Sequence, residues 1–130
     1  MAGSANNDEN RKSINERITS EKRRLKKFLT DVSPDKKKAA DGLISRAAFM
    51  LVTLEEYEKD LITNGHTEMF SQSPNTDPYE RERPVARLYN SLIKNYQACM
   101  KTLFDMLPEK PADSSGDDPT YNKFFSGKGK

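Results

Sequence analysis

Apolar residues recur at steps of three and four from Pro84 to Leu107, in PVARLYNSLIKNYQACMKTLFDML. They occupy positions 85, 88, 89, 92, 93, 96, 99, 100, 103, 104 and 107, a wide stripe on one side of an α-helix. Arg87, Ser91, Lys94, Ala98, Lys101 and Asp105 fill the opposite side. Pro84 suits a first helical turn, where its missing N–H is not needed. Pro108 ends the pattern. A helix of this length spans roughly 36 Å, and a stripe that long requires a partner.

A second long helix is predicted from Ser33-Pro34-Asp35 to about Asn64. Its start combines an N-cap serine, a proline at the first position and an acid in the first turn. Leu43, Ile44, Ala47, Ala48, Leu51, Leu54, Tyr57, Leu61 and Ile62 keep one phase along it. Asn64-Gly65 closes it. A shorter basic helix precedes it, opened by a Ser13/Glu16 capping box. Ile14, Ile18, Leu25, Phe28, Leu29 and Val32 form a thin stripe there, too weak for stability without packing or a ligand.

Residues 1–12 are polar and aperiodic and are expected to be disordered. Residues 65–83 are expected to form a long loop, with Met69, Phe70 and Tyr79 anchoring it over the helices and Ser73-Pro74 and Asp77-Pro78 setting turns. Residues 109–130 are expected to be a flexible acidic tail. Tyr121, Phe124 and Phe125 at its end make either a short docking motif or a frayed terminus.

The predicted fold class is therefore all-α. A basic helix or arm (13–33) precedes a long antiparallel helical hairpin (34–108), with disordered tails on both sides. Both long stripes are wider than one two-helix contact covers, so the excess is expected to meet the first helix, other subunits, or both. An oligomer with closed symmetry follows, a dimer or ring. Leu88, Tyr89, Leu92, Ile93, Tyr96, Met100, Leu103 and Phe104 are its candidate surface.

Charge adds a working end. The net charge is only +2. Residues 1–38 hold eleven Lys/Arg against six Asp/Glu, and residues 39–130 hold eleven against fourteen. A basic arm on a mildly acidic body points to a polyanion; the plainer reading is a solvated lysine-rich surface. The candidate contacts are Arg11, Lys12, Arg17, Lys22, Arg23, Arg24, Lys26, Lys27, Lys36, Lys37 and Lys38. Phe28 is the only aromatic among residues 11–38, which favours duplex backbone over stacked single strands.

Catalytic chemistry finds little to build on. His66 is the only histidine and Cys99 the only cysteine, and no spacing places them in one site. The terminal Gly-Lys-Gly-Lys lacks the strand and helix of a phosphate loop. Glu55, Glu56, Glu58 and Asp60 have no metal-ligand pattern. No enzyme activity, metal or cofactor is expected. No apolar run reaches membrane-span length, and the lone cysteine suits a reducing interior.

The run from DGLISRAAFMLVTLEEYEKDLITNG through TEMFSQSP to RPVARLYNSLIKNYQACMKTLFDMLP resembles the small terminase subunits of phages. The match covers about residues 34–108 and rests on packing motifs. The resemblance implies a component of viral DNA packaging in the host cytoplasm. Such subunits assemble as oligomers, often rings, bind double-stranded DNA and regulate the large terminase subunit, which carries the ATPase and nuclease. The N-terminal region here is too short for a full helix-turn-helix domain, so DNA contact would rest on the basic arm. Tyr121, Phe124 and Phe125 would be the large-subunit docking residues. The alternatives are a helical protein–protein adaptor that does not bind DNA and, less suited to residues 14–32, a membrane-surface helix.

Overall fold

The computed structural model describes residues 2–108, with side chains from residue 6 onward. The tail from 109, with Tyr121, Phe124 and Phe125, lies outside the described residues. Three helices dominate: α1 (Ala2–Phe28), α2 (Pro34–Asn64) and α3 (Pro84–Asp105). Two short strands, β1 (Thr67–Phe70) and β2 (Tyr79–Glu82), lie between α2 and α3.

The sequence signals at 33–35 and 84 act as expected. Ser33 caps α2, its Oγ accepting from the Lys36 N–H at 3.4 Å, with Pro34 in the first turn. Pro84 opens α3. At the other end of α2, Gly65 has φ 82° and its N–H donates to the Leu61 carbonyl at 2.8 Å. A side chain there would meet nothing within 4 Å, so the site selects glycine for backbone conformation, not for space. Gly65→Ala is expected to lower stability by about 1–2 kcal/mol, read as a shifted urea midpoint with an unchanged m-value.

The helices lie side by side. Arg17 on α1 meets Glu55 and Glu56 on α2, while Leu25, Leu29 and Val32 cluster with Ala40, Ile44 and Ala47. Higher numbers on α1 thus meet lower numbers on α2. Along α3, Arg83 just before it, Tyr89 and Cys99 meet Asp60, Glu58 and Leu43 in turn, so α3 also runs opposite to α2. Ala40, Ala47 and Ala48 are fully buried; methyl-sized side chains let the helices approach closely. The main core forms where all three helices meet, adding Met100 and Leu103 to the α1 and α2 residues.

Two expectations are corrected. Residues 2–12 are helical, not disordered: α1 begins at Ala2, well before the Ser13 capping box. Once packing fixes the Leu25–Leu29 end, each added turn costs little beyond the nucleus already formed. The 65–83 connection is not a loop draped over the helices. It is a two-stranded antiparallel ribbon, with Thr67 opposite Glu82 and Phe70 opposite Tyr79.

Met69 and Tyr79 are 66% and 47% exposed, not buried against the helices. The ribbon is held within itself and at its base. Arg81 pairs with Glu68 at 2.8 Å and stacks 3.5 Å above the Phe70 ring, which meets Tyr79 edge to face. Arg83 ties the base to α2 by donating to the Gly65 carbonyl and the Asp60 carboxylate, both at 2.8 Å.

Candidate nucleic-acid interface

The eleven candidate basic residues divide into three groups. Arg17 and Arg24 are engaged within the chain. Arg17 donates to Glu56 at 2.7 Å and Glu55 at 3.0 Å, joining α1 to α2. Glu56 chiefly, then Glu55, hold its guanidinium above its usual pKa against the opposing effect of burial. Arg17, then Lys59, keep the Glu56 carboxyl below the usual range. Arg24 grips Glu21 with two bonds of 2.8 and 2.7 Å. Glu21 is 8% exposed, the one buried charged residue among those described, and a buried carboxylate requires its counter-ion. Both arginines therefore serve the fold first.

The second group lies along α1: Arg11, Lys12 and Arg23 are exposed and Lys22 is half-buried. Arg11, Lys12 and Arg23 share a shallow face with Asp8 and Glu16, so this stretch is mixed in sign.

The third group is Lys26, Lys27, Lys36, Lys37 and Lys38. All five are exposed, and among the described residues none forms an ion pair. Lys26 and Lys27 stand on the last turn of α1. The other three stand on the first turns of α2. The connection between them is short and closed by its own backbone hydrogen bonds. Leu29 and Val32 are 5% exposed, and Leu29 and Val32 N–H groups donate back to the Lys26 and Leu29 carbonyls. The turn thereby folds two lysine runs onto one corner. Lys26 and Lys37, eleven positions apart in sequence, line the same cleft, floored by Leu29 and Ile44 with Asp41 in its wall.

The two runs differ electrostatically. Cations at the end of α1 face its negative pole, whereas Lys36–Lys38 sit at the positive pole of α2, where a cation is disfavoured. Asp31, Asp35 and the cleft residue Asp41 partly offset them. Such a corner offers a phosphate group side-chain charge and a helix N-terminus together.

The apolar candidates on α3 also divide. Met100 and Leu103 are 6% and 5% exposed, covered by Leu25 and Leu29, so they are internal core and not an assembly face. Tyr96 and Phe104 pack against the same cluster. The sequence stripe overstated the surplus because α1 covers the C-terminal half of α3. Leu92 and Ile93 are half-buried, Tyr89 donates its hydroxyl to Glu58 at 2.9 Å, and Leu88 is exposed. Phe49 and Ile62 on α2, at 56% and 85% exposure, are exposed apolar residues that the α3 pattern did not single out.

Tyr96 is the most perturbed titrating group in the core. Burial first, and then the Glu21 charge, push its hydroxyl up to about 12. A raised value favours the neutral phenol in the folded state. Its contribution is complete below about pH 10 and is lost as pH climbs through 12. Tyr96→Phe should remove that part of the alkaline loss, about 1–2 kcal/mol after allowance for partial exposure. Urea midpoints of both proteins at pH 8 and pH 11 check it: the gap between them should change with pH.

Cys99 is half-buried, donates to the Leu43 carbonyl at 3.4 Å, and has its thiol pushed up by burial against a lowering by Arg46. It is placed as a packing residue. His66 is exposed on the connection after Gly65. Among the described residues no group of three or more His, Cys, Asp or Glu could hold a metal ion, and no helix is long and apolar enough to cross a membrane. Comparison with family models, curated proteins and solved structures gave no match.

Proposed function

We propose that the protein is a DNA-binding adaptor without catalytic activity, acting as a small terminase subunit does in phage genome packaging. The observation that carries the DNA reading is the corner of five exposed lysines from two helices. Their charges stand unpaired among the described residues. Contact is with the phosphate backbone, so register on DNA is set by charge and shape, not by base edges. The packaging role, the host-cytoplasm setting and the large terminase subunit as partner rest on the sequence resemblance over about 34–108. Tyr121, Phe124 and Phe125 are the proposed docking residues for that subunit.

The helical hairpin of α2 and α3 is the proposed unit of self-association. Its exposed Phe49, Ile62 and Leu88 supply the apolar contacts. Repeating the corner around an oligomer adds weak phosphate contacts into useful avidity.

Duplex binding titrated against salt tests the reading. Five phosphate contacts give a log–log slope of about −4.5, or about a 500-fold loss from 50 to 200 mM salt. Affinity that stayed flat would remove the DNA reading. A protein–protein adaptor would then remain, for which exposed Met69 and Tyr79 on the ribbon are the favouring observation.

A further inference from the structure

The last described residues lie against the C-terminal end of α1. Leu107 lines one small cavity with Leu25, Phe28 and Leu29 at the end of α1, and Met106 and Leu107 pack on the same core. Lys26 and Lys27 belong to that turn of α1. The chain continues past Pro108 with EKPADSSGDDPT, in which Glu109, Asp113, Asp117 and Asp118 outweigh Lys110. Asp113 is five residues beyond Pro108, an extended reach of about 17 Å, and Asp118 about 34 Å. The described chain therefore ends at the end of α1 that carries Lys26 and Lys27.

We propose that residues 109–118 of the same chain occupy the lysine corner and compete there with polyanions. The match is one of charge and of tether. A short linker holds the acids at millimolar effective concentration over the corner, so pairs that are weak singly fill it in the absence of another anion. Displacement by DNA replaces carboxylates with phosphates. Fewer counter-ions are then released than from a bare corner, and weak, non-specific binding is suppressed most.

The competition half of this inference rests on the DNA reading above; the intramolecular contact does not. Two measurements separate them. In the first, the full chain is treated with a carbodiimide, which activates a carboxylate for attack by an adjacent lysine amine and leaves an isopeptide bond with loss of the urea. Mass spectrometry should find Asp113, Asp117 or Asp118 joined to Lys26, Lys27, Lys36, Lys37 or Lys38 at 20 mM salt, and far less at 500 mM. A mixture of isotopically labelled and unlabelled protein should place these links within single chains. Absence of the links, or links only between chains, overturns the proposal.

In the second measurement, a long duplex is titrated with three full-length proteins. They are the parent, the triple variant Asp113→Asn, Asp117→Asn, Asp118→Asn, and a control with Asp77→Asn, Glu80→Gln, Glu82→Gln on the exposed ribbon side. Both variants lose three negative charges. The tail variant should bind three- to tenfold more tightly than the parent at 50 mM salt and show a steeper salt slope, the two lines meeting at high salt. The ribbon control should bind like the parent. Equal gains in both variants would mean bulk charge alone, and would overturn competition at the corner. Links within the chain together with no DNA binding by any protein would keep the contact and remove the DNA reading.

Discussion

Replacing Leu29 with alanine should lower stability by about 3 kcal/mol, which for a chain of this size moves the melting point down by some 10–20 °C. Leu29 is 5% exposed at the junction of all three helices, in one cluster with Ile44, Met100 and Leu103. Removing three carbons there leaves a cavity that rigid helices cannot fill. The loss should also be uneven. α1 has few buried residues before Glu21, and a free polar helix of that kind is marginal in water. Hydrogen exchange in Leu29→Ala should therefore rise first along α1, while α2 and α3 keep their protection longer. Equal loss in all three helices would mean that α1 is not a separate layer.

Replacing Lys26, Lys27, Lys36, Lys37 and Lys38 together with alanine should nearly abolish duplex binding at 150 mM salt. It should also flatten the salt slope by about four to five. Thermal stability should hardly change, because exposed side chains away from caps and cores contribute within about 0.5 kcal/mol each. The dipole effects also oppose each other, two lysines favourable at the end of α1 and three unfavourable at the start of α2. Arg17→Ala should do the reverse, releasing Glu55 and Glu56 and loosening α1 while leaving the slope nearly intact. A fivefold lysine variant that kept its slope would move DNA contact to Arg11, Lys12 and Arg23 or remove it. Binding titrations paired with melting curves distinguish these results.

Local signals were legible in the sequence where they are complete within a few residues. Ser33-Pro34-Asp35 holds every element of a helix start, and Asn64-Gly65 holds a stop. The apolar periods of α2 and α3 needed no partner to be read. What stayed hidden depends on the register between distant segments. Nothing local in Arg17 distinguishes it from Arg23, yet α2 brings two glutamates to the first. Glu21 falls in the gap between Ile18 and Leu25 of a thin stripe and is a buried, paired charge. The stripe at 100 and 103 read as spare surface because Leu25 and Leu29 gave too little pattern to show that they cover it. The ribbon escaped because Met69 and Phe70 are adjacent and point to opposite faces, so four residues of strand carry no apolar period.

Ribbon and lysine corner stand at opposite ends of α2, whose 31 residues make a rod of about 46 Å. A rod of that length works as a ruler. A duplex lying across the corner leaves the ribbon more than a helical turn of DNA away, clear of the phosphates. A partner at Met69 and Tyr79 would then leave a duplex at the lysines undisturbed. Lengthening or shortening α2 by whole turns would then change the distance between the two ends while leaving each end intact.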